Sequence, residues 1–160
     1  MFTALALAHL LGILLAVFAL LSVRFEGTRR SVRPWRLFVP TILVLLCSLA
    51  LLGDFNARGK EVWLIGFLLG IPFGVARAFW LRLRTDHAAR LVRMSPVRDG
   101  FFVAVTATAL AAIELAMTLE TGGGNKAMFA AAVALCAGYL GGRAAITRMR
   151  AGTAVHLDMK

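Results

Sequence analysis

The chain has 160 residues, 60% of them hydrophobic, with a mean hydropathy of +0.81 and a formal net charge of +10. A soluble domain is nearer half apolar, so a water-soluble globule is a poor fit to this composition. So basic a chain would suit nucleic acid, but its cations fall between apolar runs of membrane length, which argues against that partner and points to a lipid surface.

A membrane-crossing helix takes roughly 20 apolar residues. Five stretches qualify, at about 3–23, 38–53, 62–80, 101–119 and 127–142. They predict an all-α membrane protein forming a single integral membrane domain over residues 1–160. The first span has no basic leader region and no small-residue cleavage site before a polar domain, so it is expected to be a retained anchor. His9 lies inside it, on a face shared with Ala6, Gly12 and Ala16. Small neighbours place that face against other helices. An intramembrane histidine is either a hydrogen-bonded packing residue or a functional group.

Residues 24–36 form an arginine-rich loop closed by Pro34 and Trp35, suited to an interface with anionic headgroups. The second span is rich in Leu, Val and Ile, with Pro40 in its first turn, where a missing N–H costs little. Cys47 and Cys136 each fall within a span and read as small packing residues, not as a disulfide. In the third span Gly66, Gly70 and Gly74 recur every fourth residue and Ala78 extends the row, making a smooth stripe for a close helix crossing. Pro72 within it removes a backbone donor and is expected to kink the helix.

After the third span Leu81, Leu83, Val92 and Met94 alternate with polar residues, with residues 85–89 as the turn and His87 at its tip. Period two predicts a short cytoplasmic β-hairpin, and a helix lying on the headgroups is the alternative. The fourth span carries Glu114, five residues from its outer end. A carboxyl at that depth is paired or protonated. It is read either as a structural pair with Lys126 or a nearby hydroxyl, or as a proton or cation site. His9 lies at nearly the same depth, and the two are expected to meet. Gly122, Gly123 and Gly124 form an outer loop, and the fifth span carries a second small-residue row, Ala130, Ala134, Gly138 and Gly142.

Between the first two spans stand Arg24, Arg29, Arg30, Arg33 and Arg36. Between the third and fourth stand Arg77, Arg82, Arg84, Arg90, Arg93 and Arg98. Arg143, Arg148, Arg150 and Lys160 follow the fifth. The other side holds only Arg58, Lys60 and Lys126. The positive-inside rule then predicts the N-terminus outside and the C-terminus in the cytoplasm. Arg77, Arg82, Arg84, Arg143, Arg148 and Arg150 are expected to face the cytoplasm and the headgroups.

The third and fifth spans end alike. Residues 77–84 and 143–150 both read R-A-x-x-x-R-x-R. Val155, Leu157 and Met159 alternate with polar residues, like the strand after the third span. The pattern predicts one leading helix and two parallel helix–helix–hairpin copies. The Gly66/Gly70/Gly74 row, Arg77 and the LRLR…LVRM hairpin resemble the CcdC-like small bacterial multi-pass membrane proteins. That resemblance covers the second half and implies a multi-pass architecture, in a group sometimes associated with cytochrome c biogenesis genes. The chain has no C-x-x-C pair, which counts against thiol exchange.

No H-E-x-x-H, phosphate-loop, G-x-S-x-G or Cys/His metal spacing is present, so no enzyme, metal or cofactor is expected. Two function classes remain. One is an accessory, assembly or structural subunit packing through its Gly/Ala stripes against other membrane subunits or itself. The other is a small transporter or proton-conducting protein using His9 and Glu114.

Overall fold

The computed structural model describes residues 2–27, 33–53, 57–81, 83–86, 91–94, 98–121 and 125–153. Its elements in order are α1 (Phe2–Gly27), a 3-10 helix (Pro34–Phe38), α2 (Val39–Leu52), α3 (Ala57–Phe79), β1 (Leu83–Asp86), β2 (Leu91–Met94), α4 (Asp99–Thr121) and α5 (Lys126–Ala151). Four helical stretches are long and apolar enough to cross a membrane: Pro34–Leu52, Arg58–Phe79, Asp99–Glu120 and Lys126–Ala151. The apolar part of α1 is Leu7–Val23.

Helices α1 and α4 bury small residues and expose large ones. In α1, Ala16, Ala19 and Val23 are buried while Leu10, Leu14 and Phe18 are exposed. In α4, Ala104, Ala107 and Ala111 are buried while Phe102, Ile113 and Leu119 are exposed. A soluble helix does the reverse, turning its large apolar side chains inward. Lipid tails solvate leucine as well as a protein core does, so the inward face is chosen for closeness of approach, which favours alanine and glycine.

Helices α1, α2, α5 and α4 pack in a closed ring, each against the next, with α4 returning to α1. Helix α3 lies outside this ring along α5. A tie to α2 also holds α3: Trp63 Nε1 donates to Ser48 Oγ at 3.0 Å, and the Trp63 ring stacks on Phe67. Gly53 ends α2 at φ 60°, a left-handed conformation that costs other residues more.

Several boundaries differ from the sequence-based expectation. The second span begins as the 3-10 helix at Pro34 and becomes α-helical at Val39, with Pro40 in its first turn. Residues 57–61, expected in an outer loop, are helical and start α3. That helix runs on through Pro72, whose ring is on the exposed side. Helix α5 continues to Ala151, nine residues beyond the expected end at 142. Alanine and arginine are good helix formers, so a basic, alanine-rich stretch need not end a helix when it leaves the apolar zone.

The two R-A-x-x-x-R-x-R stretches therefore differ in structure. The second stays helical, whereas the first leaves α3 after Phe79 and enters β1 at Leu83. The last turn of α3 tightens through Trp80 N–H to Arg77 O at 3.2 Å and Leu81 N–H to Ala78 O at 3.3 Å. Arg150 Nη1 donates to the Ala78 and Phe79 carbonyls, the second at 3.0 Å, so a side chain from α5 caps α3. Strands β1 and β2 pair antiparallel, Leu83 opposite Met94 and Asp86 opposite Leu91. Thr85 and Asp86 thus belong to a strand and not to the expected turn; residues 87–90, His87 among them, lie outside the described residues. Val92 and Leu83 pack with Leu37, Ala144 and Ala151, seating the hairpin on the end of α5. The second expected hairpin, around Val155, Leu157 and Met159, also lies outside the described residues.

Candidate functional site

Three arrangements gather the residues that the sequence singled out. The first is the α3–α5 seam. A Cβ atom at Gly66 would overlap the Ala131 carbonyl oxygen. One at Gly70 would overlap the Leu135 carbonyl oxygen and lie 2.8 Å from Tyr139 N. One at Gly74 would overlap the Tyr139 carbonyl oxygen and lie 2.9 Å from Arg143 N. The register advances in step on both helices, so α3 and α5 run parallel. Gly138 and Gly142 return the contact against the Phe67 and Ile71 carbonyls, and Gly70 Cα is 3.2 Å from a Cβ placed on Gly138. Ala78 and Ala134 are also fully buried. The two backbones touch without side chains between them, a contact that only glycine permits.

The second arrangement is a charge clasp at the arginine-rich end. Asp99 opens α4, and its Oδ2 accepts from Arg77 Nε at 3.2 Å and from Tyr139 OH at 2.9 Å. Arg143 Nε lies 3.9 Å from the same oxygen. The two arginines are the first residues of the two R-A-x-x-x-R-x-R stretches, and one carboxylate serves both. Gly100 leaves room for the Arg143 guanidinium, which a Cβ there would overlap. An acid in the first turn of a helix also complements the helix dipole.

The clasp corrects the expectation for Arg143. Its side chain is 8% exposed and lies in the clasp, not on the headgroup surface, because the Asp99 carboxylate lies beneath it. Arg150 is partly buried over the end of α3, Arg77 is 39% exposed, and Arg148 is exposed. Arg82 lies outside the described residues, and Arg84 is in β1. Sequence reading missed Asp99 and Tyr139. The signal was available in part: Asp99 is the acid at the foot of a span in the most arginine-rich connection of the chain.

The third arrangement is the α1–α4 seam. His9 is 1% exposed and Glu114 is fully buried. Thr118 Oγ1 donates to the Glu114 backbone carbonyl at 2.8 Å and lies 3.3 Å from Glu114 Oε1. Glu114 Oε2 is buried with no hydrogen-bond partner. Near the other end of this seam, a Cβ at Gly100 would lie 3.4 Å from Val23 Cγ1. Val23 is close to the end of α1 and Gly100 is the second residue of α4. The two helices can pack along their lengths only if they run antiparallel.

No family model, no curated protein and no solved structure matches this chain. Its chemistry therefore rests on the three arrangements alone. Among the described residues no group of three or more His, Cys, Asp and Glu side chains could hold a metal ion. Cys47 and Cys136 are both buried and free. Lys126, expected as a rival partner for Glu114, starts α5 and is half-buried.

Proposed function

We propose that this chain is a non-enzymatic, five-span protein of a bacterial inner membrane that acts as an accessory or assembly subunit, packing against other membrane subunits or a second copy of itself. Its N-terminus is outside, and its arginine-rich end lies in the cytoplasm among anionic headgroups. The observation that carries this reading is the position of α3. That helix is bound to the bundle along one glycine face, and its opposite face presents Leu64, Ile65, Leu68, Leu69 and Phe73 to the surroundings.

Pro72 gives that exposed face a polar feature. It has no N–H, so the Leu68 carbonyl four residues earlier loses its helical donor. In hydrocarbon an unsatisfied carbonyl costs several kcal/mol, and in multi-helix membrane proteins neighbouring helices supply the missing donor. A helix seated on α3 would do so. The charge asymmetry supports the orientation, and exposed Arg33, Arg36, Arg98 and Arg148 suit a headgroup layer. The resemblance of the third span and hairpin to the CcdC-like multi-pass proteins is in keeping with this reading. The test is affinity purification from native membrane in mild detergent. The reading expects a membrane protein, or a second copy, recovered with the chain in fixed ratio. Recovery of a lone monomer with lipid would refute it.

A further inference from the structure

We propose that His9 and Glu114 together form one proton-binding site within the α1–α4 seam, independent of the α3 face. The contact between Val23 and Gly100 sets the register of the two helices. Because the helices run antiparallel, moving back from Val23 along α1 matches moving forward from Gly100 along α4. His9 is fourteen residues from Val23, and Glu114 is fourteen residues from Gly100. At 1.5 Å per residue both lie about 21 Å from the common contact. Seven residues make nearly two full turns, so steps of seven stay on one helix face. His9, Ala16 and Val23 form such a stripe on α1, and Gly100, Ala107 and Glu114 form one on α4. All six are buried. Alanine faces the middle of the seam and glycine its end, so the helices stay close over the whole length. Imidazole and carboxyl then come to the same level on facing stripes.

The chemistry follows from the burial. Glu114 Oε1 has the Thr118 hydroxyl nearby, and Oε2 is buried with no donor. A carboxylate oxygen left bare in so apolar a place is costly. A proton shared with the facing imidazole removes that cost: it sits on nitrogen in an ion pair or on oxygen in a neutral pair, and the net charge is zero either way. Loss of that proton leaves one negative charge in the seam, so the pair binds one exchangeable proton as a unit.

Other titratable groups are placed differently on the elements packed against α4. Cys47 of α2 lies beside Gly12, one turn of α1 from His9, its Sγ 3.8 Å from a Cβ placed there. Cys136 of α5 is buried. Tyr139 and Arg143 are committed to Asp99, fifteen residues of α4 away from Glu114. Lys126 and Glu120 lie at the helix ends, Glu120 exposed.

The test is infrared spectroscopy of the full chain in lipid nanodiscs across a pH series. The protonated-carboxyl band of Glu114 is identified by its loss in Glu114→Gln, a substitution that keeps size and shape. The expected result is a Glu114 band whose titration midpoint moves by about one pH unit or more in His9→Gln and stays in place in Lys126→Met. Thermal unfolding of each variant is measured alongside, and if His9→Gln fails to fold, His9→Asn replaces it. A Glu114 midpoint indifferent to His9 would overturn the shared site. A midpoint that moves with Lys126 and not His9 would assign the partner to the outer lysine and also overturn it. Absence of any titrating band at every pH, whether the Glu114 carboxyl or a His9 imidazolium lost in His9→Gln, would overturn proton binding itself.

Discussion

Gly70→Ala adds a single methyl group at the centre of the α3–α5 seam, and its cost can be worked from the geometry. The new Cβ would overlap the Leu135 carbonyl oxygen and lie 2.8 Å from Tyr139 N. Both are backbone atoms of α5, so no side chain can turn aside. The helices must separate by roughly half an ångström or more, and contacts at Gly66, Gly74, Gly138 and Gly142 weaken together. Overpacking of this kind costs about 1–3 kcal/mol. Alanine in place of a helical glycine returns about 1 kcal/mol, which leaves a net loss of up to about 2 kcal/mol. Gly70→Leu should cost more, because its side chain has no space at all. Gly59→Ala is the control. A Cβ there meets Leu52 Cδ1 at 3.5 Å and Ala127 Cβ at 3.9 Å, ordinary contact distances, so the helix-propensity gain should survive. Thermal unfolding in detergent, followed by circular dichroism, reads both. Gly70→Ala should melt below the parent and Gly59→Ala at or above it. Equal stabilisation by the two substitutions would refute the close-packed seam.

Asp99→Asn should destabilise by about 2 kcal/mol in mixed-micelle unfolding, below the range for a fully buried pair because Arg77 can recover water; an unchanged midpoint would show that the clasp contributes nothing. Tyr139→Phe removes one donor from the same oxygen and should cost about 1 kcal/mol. Arg150→Met uncaps α3, and hydrogen exchange should accelerate at residues 78–81 while the middle of α3 stays protected; uniform protection would contradict the cap. For the orientation, reporter fusions at Gly123 and Lys160 should show the first outside and the second in the cytoplasm, and a periplasmically active reporter at Lys160 would overturn it.

How much of this could be read from the sequence depends on the range of the interaction. The glycine row of α3 and the small-residue row of α5 are periodic, local features, and a helix crossing with no room for Cβ atoms leaves that mark in the chain. The hairpin was legible for the same reason, since alternation over Leu83 and Val92 is a local pattern. The Asp99 clasp was not. It joins side chains at 77, 99, 139 and 143, and nothing local says that two arginines of similar stretches converge on one acid. The extension of α5 is hidden in the sequence because the arginines after Gly142 mark the end of the apolar zone and not the end of the helix. Its consequence, Arg150 capping α3, lies some seventy residues away along the chain. His9 and Glu114 stood out by polarity alone, but their common level depends on the Val23–Gly100 contact, which only the packed structure supplies.

The central claim is that the outer face of α3 is covered by another membrane helix, and a photo-crosslinking side chain at Leu69 tests it most directly. Leu69 is 52% exposed on that face, and Leu10, 55% exposed on α1, is the control. Irradiation in native membranes should join position 69 to another polypeptide, giving a discrete heavier band, while position 10 yields lipid adducts. Lipid adducts alone at both positions would contradict the account and leave α3 as the lipid-facing edge of an independent protein.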